Sequence, residues 1–347
     1  MLEEERSAPR PTPITVIGGF LGAGKTTLLN AVIRRGTTRR LGVLVNDFGA
    51  INIDADLVVG VEEDVVNLGG GCICCTIRED LVRSILEIMR RPDPPEHLVI
   101  EASGVSDPAA VARAVAVPYL RSVVALDGVV VVIDAEAYLT ANLRERIVTG
   151  GQLKAADIVV LSKTDLLDAA DVEAVKAKIR RVVTRARIVE APRGDIPAEV
   201  VLGVHSDVVP DAGPMSVKVH RVGDEPAEID HTKSFGTWSY STDVPLSARR
   251  LRRIIDRLPS AVYRVKGIVQ LVGERSRQAV LQVVGRRAHL EVGAPWGDAP
   301  ARSRLVFIGA PGCIDPVALE ALLRDCEAPD GGLQGGVWQW VRSVFDG

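Results

Sequence analysis

Along the chain the apolar positions fall into two regimes. From Ile14 to about Val189, short β-branched runs alternate with segments whose apolar positions recur every three or four residues. That alternation predicts βαβ units and a mainly parallel sheet, because parallel strands must be joined by a crossover. "ITVIGG" predicts a strand and "KTTLLNAVIRR" a helix, followed by "LGVLVND" (strand), "REDLVRSILEIMRR" (helix) and "HLVIEASG" (strand). "DPAAVARAVAV" reads as a helix, "GVVVVIDA" and "DIVVLSKTD" as strands, and "DAADVEAVKAKIRRVV" as a helix. Between Ala191 and Lys233 the pattern dissolves into "APRGDIP", "HSDVVPDAGP" and "GDEPAEIDHT", which is linker chemistry around one strand at "SVKVHRV". From Phe235 the order becomes strand, helix, several strands and a last helix near Pro316 to Cys326. The expected architecture is a doubly wound α/β domain over 14–190 and a smaller α+β domain over 234–347. A disordered tail over 1–13 and a linker over 191–233 complete it.

Composition narrows the class. A chain of 347 residues suits about two domains, and 47% hydrophobic with 25% charged residues is ordinary for a globular protein. The 42 basic and 45 acidic residues leave a net charge of −3, so no global field favours nucleic acid or a membrane surface. Arg249, Arg250, Arg252 and Arg253 read as the solvated face of a helix. The most apolar stretch, "SVVALDGVVVVIDA", is interrupted by Asp127 and Gly128 and is too short to span a bilayer. The start, "MLEEERSAPRPTP", has neither the basic region nor the apolar run of a secretory signal, so a reducing cytoplasm is the expected compartment.

Three motifs carry chemistry. "GGFLGAGKTT" contains Gly19-x-x-x-x-Gly24-Lys25-Thr26, a P-loop between a predicted strand and a predicted helix. Its backbone N–H groups converge on phosphates at a helix N-terminus, Lys25 reaches the β- and γ-phosphates, and Thr26 ligates Mg²⁺. After the strand "DIVV", "LSKTD" places Asp165 to accept from both guanine N1–H and the 2-amino group, while the Lys163 stem covers the base. Ser162 stands where the usual GTPase motif has Asn. Asp47 in "VNDFGA" and Glu101 at the end of "HLVIE" are the acids expected at the phosphates. Either holds Mg²⁺ directly or through water, or orients the attacking water.

The third motif is "GGGCICCTIRED". It sets Cys72, Cys74 and Cys75 in one glycine-led loop of a chain with only five cysteines. An odd count, with Cys313 and Cys326 far away in sequence, does not describe a disulfide framework. Three thiolates can converge on a borderline cation such as Zn²⁺ or Co²⁺, or on Cu⁺, and an incomplete shell suits a metal that arrives and leaves. A dithiol redox switch uses the same residues. His205, His220 and His231 read as solvated loop residues.

Together the P-loop, "NDFG", "GGGCICCTIREDL", "EASGVSDP", "ADIVVLSKTDL" and "YRVKGIV…SRLVFIG" resemble the CobW-type family of metal-handling GTPases over about residues 14–310. The family is similar to SIMIBI-class P-loop GTPases, and its members use nucleotide state to acquire and hand over zinc, cobalt or iron, nitrile hydratase activators among them. The resemblance implies that Gly19, Gly22, Ala23, Gly24, Lys25, Thr26 and Thr27 bind phosphate and Mg²⁺, with Asp47 and Glu101 beside them. It further implies that Ser162, Lys163 and Asp165 take the base, and that Cys72, Cys74 and Cys75 hold the transferred metal. Gly70 replaces an Asn found in many relatives, and their His-rich interdomain stretch is absent here, which favours one-ion delivery over storage. The expected protein is a cytoplasmic GTPase metallochaperone using GTP, Mg²⁺ and Zn²⁺ or Co²⁺. Its expected partners are a client metalloprotein and a second copy in a homodimer, with neither nucleic acid nor membrane. A GTP-binding metal or thiol sensor and an ATP-using small-molecule kinase are the rival readings.

Overall fold

Strand β1 (Thr12–Gly19) lies in the middle of a seven-stranded sheet, and Ile14, Val16 and Ile17 are fully buried along it. A strand covered on both faces needs a near-continuous apolar run instead of alternation. The computed structural model describes residues 11–34, 40–45, 65–67, 76–184, 186–203, 216–221, 234–285, 287–297, 300–310 and 312–328. It divides into two compact units, Met1–Leu202 and Gly203–Gly347.

In the first unit β1 is followed by α1 (Lys25–Arg34), β2 (Leu41–Val45), β3 (Val65–Asn67), α2 (Thr76–Met89) and β4 (His97–Glu101). Then come α3 (Pro108–Val115), β5 (Val124–Asp134), α4 (Ala135–Thr140), α5 (Leu143–Ala155) and β6 (Ile158–Ser162). The unit closes with α6 (Ala169–Val182), β7 (Arg187–Ala191) and α7 (Ala198–Leu202). Strand order is β3-β2-β4-β1-β5-β6-β7, and every pair is parallel. The chain leaves β1 toward one edge and returns through β4 before building the other half, so the order reverses at β1. In open α/β sheets, ligands bind outside the strand C-termini at that reversal.

Register aligns the ends that matter. Glu101 pairs with Ile17 and with Val45, and Val45 pairs with Asn67. On the other half, Asp134 pairs with Ser162 and Ser162 with Ala191. The residues that follow these positions therefore emerge from one edge of the sheet.

Sequence periodicity misses α4 and α5. In α5 the apolar residues Leu143 and Ile147 are exposed, Gly150 and Gly151 fall within the helix, and Leu153 is its one fully buried apolar side chain. No apolar stripe exists to be read. The signal present is a capping box: the Asn142 side chain accepts from the Glu145 N–H, and the Glu145 carboxylate accepts from the Asn142 N–H. Parallel pairing of β5 with β6 also demands a crossover between them.

Three boundaries differ from the expectation. Thr12 and Pro13, assigned to the tail, pair with Val124 and Ala125 at the start of β1. Residues 192–202, assigned to the linker, form a 3-10 turn at Pro192–Gly194 and α7, because Ile196, Val200, Val201 and Leu202 are buried in the first unit. Proline and glycine there mark turns in a packed segment, not a tether. The strand expected at "SVKVHRV" is present as β8 (Ser216–Arg221), but it belongs to the second unit, pairing antiparallel with β9 (Ser234–Thr242).

That unit contains β8, β9 (Ser234–Thr242), α8 (Ala248–Arg257), β10 (Val262–Leu271), β11 (Glu274–Val284), β12 (Arg287–Pro295), β13 (Ser303–Gly309) and α9 (Pro316–Arg324). Its sheet is antiparallel, in the order β12-β11-β10-β13-β9-β8, around a core that includes Trp238, Leu281 and Phe307. On α8, Leu251 and Ile255 face that core while Arg249, Arg250 and Arg253 are exposed. Among the described residues no helix is long and apolar enough to cross a membrane.

The capping box makes α5 testable. Asn142→Ala should weaken the helix start by about 1 kcal/mol, an acceleration of roughly fivefold in amide exchange across its first turns. Unchanged protection there would show that tertiary packing, not the cap, fixes the helix.

Candidate functional site: a phosphate loop and a base-recognition turn

The phosphate loop starts where β1 runs out. Gly22 (φ +73°) and Gly24 (φ +92°) adopt left-handed backbone that costs glycine little, and the loop folds back on itself between them. The Ala23 N–H donates to the Phe20 carbonyl at 3.1 Å, and the Leu28 N–H donates to the Gly24 carbonyl at 2.9 Å, starting α1. Lys25 is buried and its Nζ donates to the Phe20 carbonyl at 3.4 Å, so the ammonium lies across the loop. Thr27 is exposed on the first turn of α1. Thr26 Oγ1 donates to Glu101 Oε1 at 2.9 Å, and Glu101 is 2% exposed at the end of β4. The predicted hydroxyl and one of the two predicted acids therefore meet.

The second half of the site is built on β6. Ser162 is buried, and its Oγ donates to the Ala23 carbonyl at 2.6 Å with the Ile133 carbonyl 3.2 Å away. A hydroxyl has one proton, so the shorter contact is the main bond. It ties the end of β6 to the P-loop. Lys163 then turns left-handed (φ +54°), a conformation costing a residue with a Cβ roughly 1–2 kcal/mol. Its Nζ lies 2.6 Å from Asp134 Oδ2, while Asp134 Oδ1 accepts from the Ala137 N–H at 3.0 Å and caps α4. The turn continues as a 3-10 helix, Thr164–Leu166, bearing Asp165. Across from it stands Arg193, whose Nε is 3.6 Å from Asp165 Oδ2.

A third group fixes the loop after Glu101. The Gln152 side-chain amide on α5 is buried and donates to the carbonyls of Gly104 and Ser106, each at 3.1 Å. Gly104 packs so closely on the P-loop that a Cβ there would sit 2.7 Å from the Leu21 backbone nitrogen. Asp134, Gln152 and Arg193 are contributions that sequence reasoning passed over. Asp134 alone carried a usable signal, an acid between an apolar strand and a helical segment, the N-cap pattern.

Asp47, Cys72, Cys74 and Cys75 lie outside the described residues. What flanks them is described. Val45 ends β2 and Asn67 ends β3, in register with Glu101, and α2 begins at Thr76 immediately after Cys75. Both segments are thus entered from the edge that carries the phosphate loop. Of the remaining cysteines, Cys326 is fully buried and burial pushes its thiol up to about 11, a poor start for a thiolate ligand. Among the described residues no cluster of three or more His, Cys, Asp or Glu side chains could hold a metal.

Comparison with known proteins matches residues 13–190 to the CobW/HypB/UreG nucleotide-binding domain and residues 235–327 to the cobalamin synthesis protein cobW C-terminal domain. The chain is 32% identical to a zinc chaperone CobW from Sinorhizobium sp., covering 86% of this chain and 92% of that protein. It is 30% identical to a zinc chaperone CobW from Pseudomonas aeruginosa, covering 90% of each. It is 27% identical to the zinc chaperone YjiA from Escherichia coli, over 86% of this chain and 94% of that one.

The Ser162 bond supports a direct prediction. Ser162→Ala leaves the Ala23 carbonyl without its side-chain donor and should cost about 1 kcal/mol of stability in the first unit. Measured by denaturant unfolding, a change below a few tenths of a kcal/mol would mean that the bond does not hold the P-loop to β6.

Proposed function

From the premise that the chain belongs to the CobW/HypB/UreG family, we propose that it is a GTP-hydrolysing metallochaperone. On this reading it takes up one transition-metal ion at Cys72, Cys74 and Cys75 and passes it to a client metalloprotein under nucleotide control. Zinc is the first choice of cargo because the relatives named above are zinc chaperones, with Co²⁺ second.

The observation that carries the reading is the contact between Thr26 and Glu101 beside the buried Lys25. It unites a P-loop hydroxyl with the acid of a neighbouring strand, the donor pairing that phosphoryl transfer requires. The Thr26 hydroxyl is a hard oxygen suited to Mg²⁺, which Thr26 and Asp47 would hold, with Glu101, 2.9 Å from that hydroxyl, reaching the ion through water. When bound, Mg²⁺ neutralises charge on phosphate oxygens. The chain's own groups do the rest. Lys25 exchanges the Phe20 carbonyl for phosphate oxygens and stabilises charge developing there. Glu101, buried, accepts from and orients the attacking water.

Asp165 accepts from guanine N1–H and the 2-amino group, and adenine offers no matching pair of donors. Lys163, clamped by Asp134, presents its stem to the base. The cysteine segment runs between Asn67 and Thr76, both described ends of elements. A γ-phosphate at the same sheet edge would order it, and loss of that phosphate would release it. The proposed compartment is the cytoplasm, whose reducing conditions keep the thiols available.

Nucleotide selectivity and turnover test the reading together. GTP should bind at least about tenfold more tightly than ATP, about 1.4 kcal/mol, and Asp165→Asn should lose most of that margin. Glu101→Gln should slow GTP hydrolysis at least about tenfold with little change in GTP affinity, because its part is played in the transition state. Equal affinity for the two nucleotides, or wild-type turnover in Glu101→Gln, would overturn the assignment.

A further inference from the structure

We propose that Arg193 sets the guanine affinity of this site by competing with the base for the Asp165 carboxylate. The proposal rests on the reading of Asp165 as the guanine acceptor and adds a regulatory device to it.

Among the described residues, Lys163 and Arg193 are the two non-glycine residues with positive φ, +54° and +52°. Each follows the end of one of two paired strands, Ser162 on β6 and Ala191 on β7, and Asp165 lies on the turn that Lys163 opens. Backbone of this kind persists in a residue with a Cβ only when its surroundings impose it, and it collects at ligand clamps. For Arg193 the surroundings are plain. Ala191, two residues earlier, pairs with Ser162, and Gly194, one residue later, lies so close to α1 that a Cβ would sit 3.3 Å from the Thr27 carbonyl. The 3-10 turn Pro192–Gly194 is therefore held between the phosphate-binding helix and the base-recognition turn. That seating fixes where the side chain starts. The side chain itself is 85% exposed, and its ion-pair partner is Asp165, with Nε 3.6 Å from Oδ2.

The chemistry explains why this partner matters. A guanidinium offers a carboxylate a fork of N–H donors. The Watson–Crick edge of guanine, N1–H with the 2-amino group, is the same N–C–N fragment built into a ring. Arg193 and guanine therefore draw on the same acceptor: the arginine stands at ion-pair distance, 3.6 Å from Oδ2, and a guanine nucleotide must displace it to use both carboxylate oxygens. Adenine makes no such demand. Lys163, the cation two residues before Asp165, is engaged by Asp134 at 2.6 Å and does not compete. An exposed pair of this length is weak, so the competition should lower guanine affinity by about two- to fivefold. A modest loss of this kind shortens the residence of GDP after hydrolysis without abolishing recognition.

The test is calorimetric titration of the full-length protein and of Arg193→Ala with GDP, IDP and ADP. Arg193→Ala should tighten GDP about two- to fivefold, tighten IDP less because it lacks the 2-amino group, and leave ADP unchanged. The gain should shrink between about 0.05 M and about 0.5 M NaCl, since an exposed pair is screened. Arg193→Lys, which keeps the charge but not the fork, should fall between wild type and alanine. Weaker GDP binding in Arg193→Ala would show that the arginine holds the nucleotide, and equal changes for GDP and ADP would show a general electrostatic effect. Either result overturns the proposal, as does no change at all. If wild type binds GDP no better than ADP, the guanine reading itself fails. If wild type prefers GDP and Arg193→Ala does not tighten it, the competition alone fails.

Discussion

The hydrogen bond from Ser162 to the Ala23 carbonyl joins the two halves of the site. One partner closes β6 and introduces the turn that bears Asp165, and the other lies inside the P-loop. The bond is buried, so breaking it leaves a polar group without solvent to replace it. Through it the distance between the turn bearing Asp165, the proposed base acceptor, and the P-loop becomes a property of the sheet. A serine is short, which brings β6 and the loop together: the nearest approach of a Cβ at Gly24 is to Ser162, at 3.7 Å.

Other contacts extend the same constraint outward. Asp134 is in register with Ser162, caps α4 and holds Lys163, so one carboxylate couples a helix start to the left-handed turn. Thr26 meets Glu101 because β4 pairs beside β1 with Glu101 opposite Ile17. Gln152 reaches from α5 to the carbonyls of Gly104 and Ser106, placing the loop after Glu101 against the P-loop. Each of these contacts links strand ends that parallel pairing has already aligned.

How legible this was depends on how local the cause is. The strands around Val16, Val99, Val131 and Val160 and the amphipathic helix over Ala169–Val182 follow from apolar patterning, since their burial requires it. The P-loop follows from its glycines and Lys25, and Lys163 and Asp165 from the turn that bears them. Helix α5 was hidden because Leu143 and Ile147 face outward and its buried positions include Thr149 and Gln152. Arg193 was hidden for another reason: it lies in a Pro-Arg-Gly stretch that reads as linker, and only the sheet register brings it to Asp165. Long-range pairing of that kind leaves no trace in a local window.

The proposed function joins this nucleotide site to a metal loop through their shared sheet edge, so its central claim is energetic coupling between GTP and metal. Coupling between two ligands is reciprocal and must appear in the affinity of either one. The direct measurement is a Zn²⁺ competition titration against a chromophoric chelator under thiol-protecting conditions. It is run without nucleotide, with GDP, and with a non-hydrolysable GTP analogue plus Mg²⁺. The account predicts one tight site per chain, at least about tenfold tighter with the GTP analogue than with GDP, and lost in Cys74→Ala. The same Zn²⁺ affinity in all three nucleotide states would contradict it.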